Sequence, residues 1–277
     1  MSHRSKRMAI PIAFYLFVAT QTCLAQEFRI YTKVFDELAT KRNGKTAVVS
    51  RSLTIFHAGK VYDQLVNEGE VVIFEPSRRR FTLLNTHRNL ATTVHLDDVT
   101  RKLKEAYRLA EKSVEIELRQ RSKRARHAGR MLEFQLRPDF REAYNSRKQT
   151  LTLSRPSFTY RATGYRLNSD RLAQSYREYA DWISRLNYVL DPTKVLPEPR
   201  LKLNQSLFQK NLIPVVVSLE ADIGFKVKLR AEHQIHWSLD QNDRNSISNW
   251  ESELKKSSLR FVSWKNYQRE VIMAKKN

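Results

Sequence analysis

The feature that most constrains this fold is an unbroken alternation near the C-terminus. Phe225, Val227, Leu229, Ala231, His233, Ile235 and Trp237 fall on one face of an extended segment, and Lys226, Lys228, Arg230, Glu232, Gln234 and His236 fall on the other. A period of two sustained this long fits a β-strand with one buried side. At about 3.3 Å per residue the segment spans roughly 40 Å, which makes it the longest expected strand. Val215, Val217 and Leu219, ahead of a turn at 222–224, supply its hairpin partner.

The same short period governs 48–96, where apolar pairs alternate between turn signals. Leu53 and Ile55 precede Ala58-Gly59, Val61 and Leu65 precede Glu68-Gly69, Val71 and Ile73 precede Pro76-Ser77, and Phe81 and Leu83 precede 85–89. No helix fits between them, so the stretch reads as a β-meander of about five strands, with 28–35 adding another. At Asp97 the spacing changes to three and four, through Val99, Leu103, Ala106, Tyr107, Ala110, Val114 and Leu118. This predicts an amphipathic helix over 97–126 with Asp97 as its N-cap and Gly129 ending it in a left-handed conformation. Strand signals return at 131–136, at 142–144 and 151–153 across Asn145-Ser146, and at 158–165. Leu172, Tyr176, Tyr179, Ile183, Leu186 and Leu190 then form the stripe of a second helix, with Asn168 or Ser169 as its cap. A Pro-rich stretch at 191–200 is the one candidate internal boundary. Ile247, Trp250 and Leu254 suit a short helix, and Leu259 with Phe261 a last strand. The fold class expected is α+β: a large curved antiparallel β-sheet of nine or more strands, half-barrel-like, packed against amphipathic helices in one domain over 26–277.

Residues 1–25 read as a signal peptide. His3, Arg4, Lys6 and Arg7 form a positive start, 8–18 is an apolar run interrupted only by Pro11, and Cys23-Leu24-Ala25 suits cleavage after Ala25. An uncleaved anchor is the alternative, because 8–25 has about the minimum length to cross a bilayer; Gln21 and Thr22 count against it. The leader holds the only cysteine, so the exported chain expected has neither disulfides, thiolate metal sites nor a cysteine nucleophile. With 50 Lys and Arg against 29 Asp and Glu, the protein is drawn to polyanions, but charge of this kind selects no fold and no single partner. Anionic lipid head groups, acidic polysaccharides and cell-wall polymers in the envelope are the expected partners, a membrane surface among them. Export sets nucleic acid behind these.

The densest cationic feature is 119–130, where Arg119, Arg121, Lys123, Arg124, Arg126 and Arg130 stand with His127 and without an acid. These six are the candidate anion-binding residues, although a helix C-terminus favours cations through its dipole in any case. Arg78, Arg79 and Arg80 read as a solvated hairpin tip. Tyr144, Phe158, Tyr160 and Tyr165 interleave with Arg147, Arg155, Arg161 and Arg166, a mixture able to stack rings on bases or sugars but equally that of strands in a core. His233 and His236 have metal-motif spacing, yet on a strand their rings point to opposite faces, so no metal ligand is assigned. His95 with Asp97 and Asp98 could seat an acid-base pair, which helix capping already explains. No Gly-rich phosphate loop, G-x-S-x-G elbow or metalloprotease motif is present, so no catalytic residue and no cofactor are assigned.

The strings AVVSRSLTIFHAGKVYD, EVVIFEPSRRRFTLLN and LATTVHLDDV resemble the N-terminal half of exported bacterial proteins of planctomycete type, a likeness that implies no activity. The order of meander, amphipathic helix, further antiparallel strands and long C-terminal hairpin also resembles the lipoprotein-carrier (LolA-like) architecture over about two-thirds of the chain. That resemblance implies a curved sheet wrapping helices and sheltering acyl chains; it transfers no residue role, and the strand at 28–35 stands where that family has a helix. The function expected is therefore a non-catalytic, exported carrier or sensor of lipid or another anionic amphiphile, periplasmic or extracellular. The alternative is a basic envelope protein that binds polyanions. A carrier requires apolar residues around a cavity; a polyanion binder requires a filled core and a continuous basic surface.

Overall fold

Local turn chemistry builds the first half of the molecule. The computed structural model describes residues 27–40, 46–66 and 68–272; the expected leader lies outside them. β1 (Phe28–Thr40), β2 (Thr46–His57), β3 (Lys60–Leu65), β4 (Glu70–Glu75), β5 (Arg80–Asn85) and β6 (Leu90–His95) form the meander. Ala58 and Gly59 both take positive φ, 48° and 74°, as a two-residue turn between right-twisted strands requires. Arg79 does the same at φ 49° after a short 3-10 turn.

The chain then leaves the sheet as a helical hairpin, α1 (Leu96–Arg119) and α2 (Lys123–Leu136). Four expectations are corrected here. α1 starts one residue earlier than expected, after His95, and Asp97 sits in its first turn, paired with Arg79 at 3.0 Å, rather than capping it. The helix stops at Arg119 because Gln120 is extended and Ser122 caps a new helix by accepting from the Ala125 amide. Gly129 lies inside α2 rather than ending α1: a Cβ there would stand 3.0 Å from that of Glu117 and 3.1 Å from Leu118, so glycine permits the two helices to approach. Residues 131–136 are helical too. Leu132, Phe134 and Leu136 alternate with Glu133 and Gln135 as a strand would, but burial of Met131 and Phe134 on one helical face decides the outcome.

β7 (Arg141–Asn145), β8 (Thr150–Arg155) and β9 (Phe158–Arg166) follow, then α3 (Asp170–Leu190), whose N-cap Ser169 accepts from the Leu172 amide. The Pro-rich connection leads into a helix with no apolar stripe, α4 (Glu198–Phe208), which periodicity did not reveal. β10 (Leu212–Asp222) and β11 (Lys226–His236) make the long hairpin. α5 (Gln241–Glu253), the two-residue β12 (Arg260–Phe261) and α6 (Trp264–Tyr267), continued by a π-helical turn over Gln268–Ile272, close the described chain.

Among the described residues, all twelve strands belong to one open, curved sheet in the order β12-β6-β5-β4-β3-β2-β1-β11-β10-β9-β8-β7, antiparallel throughout except for β12 on β6. The fold is thus the α+β arrangement of a large antiparallel sheet packed against helices. The strands on both sides of the 191–200 connection share that sheet. β11 has 11 residues and is not the longest strand; β1 has 13 and β2 has 12, with register shifts in their pairing after Val34 and Asp36.

Successive side chains alternate between faces, and both faces of the N-terminal half are covered. Phe28, Ile30, Phe56, Phe74 and Phe81 pack under α1 and α3, with Phe28 stacked on its cross-strand neighbour Phe56 at 4.1 Å. Ile55, Tyr62, Ile73 and Leu84 point the other way, against Ile247 and Trp250 of α5. α5 is fastened there by Arg29, which donates to Asp240 and to the buried Asp243 at 2.7 Å each. A second core joins α2 and α4 to β8–β10 through Phe134, Leu151, Phe158, Leu203 and Leu207.

Candidate functional site

Register brings polar side chains together where the alternation calls for apolar ones. Ser52 of β2 opposes Thr32 of β1, which opposes His233 of β11; one row away, Asp63 of β3 opposes Thr54. Cross-strand partners share a face, and this face is the one holding Phe28, Ile30 and Phe56. Above it, Tyr176, Tyr179 and Ile183 descend from α3, and Arg200 reaches in from the first turn of α4. They line a cavity of about 370 Å3 between sheet and helices that is open to solvent on one side.

Hydrogen bonds account for most of these groups. Asp63 accepts from Thr54 Oγ1 at 2.9 Å and from the Tyr179 hydroxyl at 2.7 Å. Burial nevertheless pushes its carboxyl above the ordinary range, because hydrogen bonds from neutral hydroxyls compensate only part of the lost hydration. Tyr179 is pushed well up, by burial first and then by the Asp63 charge. His233 Nδ1 lies 2.9 Å from Thr32 Oγ1, while its Nε2 is buried without a partner. Burial, then the positive Arg200, hold His233 down to about 4, so it is neutral at pH 7. Arg200 donates through Nε to Asn204 at 3.0 Å and bonds Tyr176. Among the described residues, no carboxylate lies within ion-pair distance of it.

Two more recesses lie near the C-terminal end of α3, on either side of Leu190. One, of about 330 Å3, reaches to the sheet and is lined by Leu65, Val72, Leu83 and Tyr267. The other, of about 600 Å3, is an open cleft with Ala106 and Leu109 of α1 on one wall and Val189 and Pro192 on the other. Lys102, Lys265 and Arg269 stand around it. Leu109 is 57% exposed and Ile116, two turns further along the same helix face, is 59% exposed, so α1 presents apolar surface to solvent from the cleft onward.

The basic cluster expected from the sequence sits at the tip of the α1–α2 hairpin. Arg126 is spent on structure: its guanidinium donates to the carbonyls of Gln120 at 3.1 Å and Arg121 at 2.9 Å, closing the end of α1. Arg119, Arg121, Lys123, Arg124 and Arg130 are exposed and pair with no described carboxylate. From Leu109 to Arg119 is ten residues, about 15 Å along the helix, so this tip is separate from the cleft.

Several other sequence candidates make contacts within the fold. Arg78 and Arg80 both pair with buried Glu75. His57 meets Glu27 at 2.5 Å. Phe158 and Tyr160 are core residues, whereas Tyr165 is exposed. The register places His233 and His236 on opposite faces. Sequence reasoning missed the cavity, although Thr32, Ser52, Thr54 and Asp63 were there to be noticed as polar residues on the inward parity of their strands. No protein-family model matches the chain, and no curated protein matches it. Among the described residues no helix is long and apolar enough to cross a membrane.

Proposed function

We propose that this protein is an exported, non-catalytic binding protein for an anionic amphiphile, a carrier or sensor acting in the cell envelope after cleavage near Ala25. The observation that carries the reading is the cleft beside Leu190: an apolar floor from α1 and α3 with Lys102, Lys265 and Arg269 around it against one acid, Glu105. Its volume of about 600 Å3 falls within the range usual for small-molecule sites. A buried acyl tail contributes about 0.8 kcal/mol per methylene, so ten methylenes give roughly 8 kcal/mol. Three cations near an acidic head group add about 1 kcal/mol each. Affinity therefore follows the tail, and the charges select the head. The LolA-like resemblance points to the same class of ligand. The head group is placed at the cleft; the hairpin tip, 15 Å or so further on, is free to approach a membrane surface.

Solvent extraction of the protein purified after export, followed by mass spectrometry, tests this directly. Retained acyl lipid is the expected result, and Leu109→Glu should abolish it. Neither lipid nor uptake of a fluorescent fatty acid would overturn the reading.

The exposed, uncompensated cations of the hairpin tip favour a second reading, an envelope protein that binds acidic glycan or another polyanion. Strong heparin binding that disappears when Arg119, Arg121, Lys123, Arg124 and Arg130 are neutralised, in a protein free of lipid, would make that reading the better one.

A further inference from the structure

The central cavity lies under the middle of α3, distinct from the apolar cleft, and the amphiphile reading does not use it. Its polar groups divide into two ends. β3 and β11 are separated by β2 and β1, three inter-strand steps of about 4.8 Å, so Asp63 and His233 stand roughly 14 Å apart along the sheet. At the His233 end, Arg200 faces the cavity without a carboxylate, and the Tyr160 and Tyr176 side chains line the same wall. His233 Nε2 is buried there without a partner. When the Thr32 hydroxyl donates to Nδ1, the neutral ring carries its proton on Nε2, a second unused donor beside the guanidinium. A half-buried cation without a counter-ion and an unsatisfied buried N–H both gain from one oxyanion placed between them.

We infer that this end of the cavity binds the acid group of a small polar organic anion, a carboxylate or a phosphate monoester, held by Arg200 and by His233 Nε2. The guanidinium offers its terminal N–H groups as a planar fork, the geometry that both oxyanions match. The far end suits the rest of such a ligand: Asp63 accepts from the hydroxyls of Thr54, Tyr179 and Ser52, and its two oxygens together keep one acceptor position for a ligand hydroxyl. The polar groups at both ends of the cavity suit a compact polar molecule better than an acyl chain, whose burial would leave them unpaired.

Glycerate and glycerol 3-phosphate present the two acid groups on one skeleton, with glycerol as the uncharged control. Titrated calorimetrically into the purified protein, at least one of the acids should saturate a single site while glycerol does not bind, and the stronger acid names the oxyanion. The 15N signal of His233 Nε2 should shift on addition. Arg200→Gln should weaken binding at least about tenfold; Arg200→Lys should recover part of it, and Leu109→Glu should leave it unchanged. Binding unaltered in Arg200→Gln, binding of neither acid, or an Arg200→Gln protein as affine as the parent yet without the His233 shift, would overturn the assignment. If Arg200→Gln fails to fold, the His233 shift in the unmodified protein decides the matter.

Discussion

Tyr179 on α3 donates its hydroxyl to Asp63 on β3 across 2.7 Å, joining the helix above the cavity to the sheet below it between residues 116 positions apart. It is a buried contact in which neither partner is easily replaced. Tyr179→Phe keeps the ring, which packs edge-on against Phe56 at 5.6 Å, and removes only the donor. The loss expected is about 1 to 3 kcal/mol of unfolding free energy in urea titrations. Adding Asp63→Asn should cost less on the Tyr179→Phe background than on the unmodified one, since the pair acts as a unit.

His233 makes stability depend on pH in a definite direction. Unfolded, its ring takes a proton near pH 6.5; folded, burial and then Arg200 hold it down to about 4. Between those values the unfolded chain binds more protons, so the contribution is complete above pH 6.5 and is lost as pH falls toward 4. Urea titrations at pH 7.5 and 4.5 should show the unmodified protein losing about 2 kcal/mol more than His233→Gln. Equal losses in both would show that the ring is protonated in the fold.

Gly129 reports on the helical hairpin. With Glu117 Cβ 3.0 Å and Leu118 Cδ2 3.1 Å from where a Cβ would stand, a large side chain forces α1 and α2 apart. Gly129→Leu should therefore destabilise by about 1 to 3 kcal/mol despite its better helix propensity. A gain in melting temperature would mean that the helices do not pack through this position.

The two faces of β11 should respond unequally to charge. Ile235 opposes Ile30 on the face covered by α3, while Gln234 opposes Tyr31 and is exposed. Ile235→Asp should cost several kcal/mol and Gln234→Asp little, as read by thermal melts.

Period and turn chemistry made the meander, α3, the β10–β11 hairpin and the α+β class legible, because each is set by residues close in sequence. What escaped was decided at a distance. The alternation of Leu132, Phe134 and Leu136 reads as strand until the β8–β10 core that receives Met131 and Phe134 is known. α4 has no apolar stripe because Asn204 and Ser206, on its buried side, are satisfied by Asp181 of α3 and Glu142 of β7. The cavity escaped for the same reason: Thr32 and His233 are 201 residues apart, and only the β1–β11 register makes them neighbours. The cationic cluster was visible as composition, but Arg126 had its role fixed by carbonyls that a change of helix exposes.

The position of β1 has a consequence for biogenesis. The first strand of the described residues is central in the finished sheet, and its second edge is filled by β11, synthesised some two hundred residues later. A chain that folds as it emerges can complete the β1–β6 meander, yet β1 then presents an open row of amides and carbonyls that invites pairing with other chains. Closing so long a loop is also a late and slow event. Under the export proposed above, translocation in an unfolded state, with release only once β11 has crossed, would let that seam form within one molecule. A protein truncated before β11 should for that reason aggregate rather than persist as a soluble half-sheet.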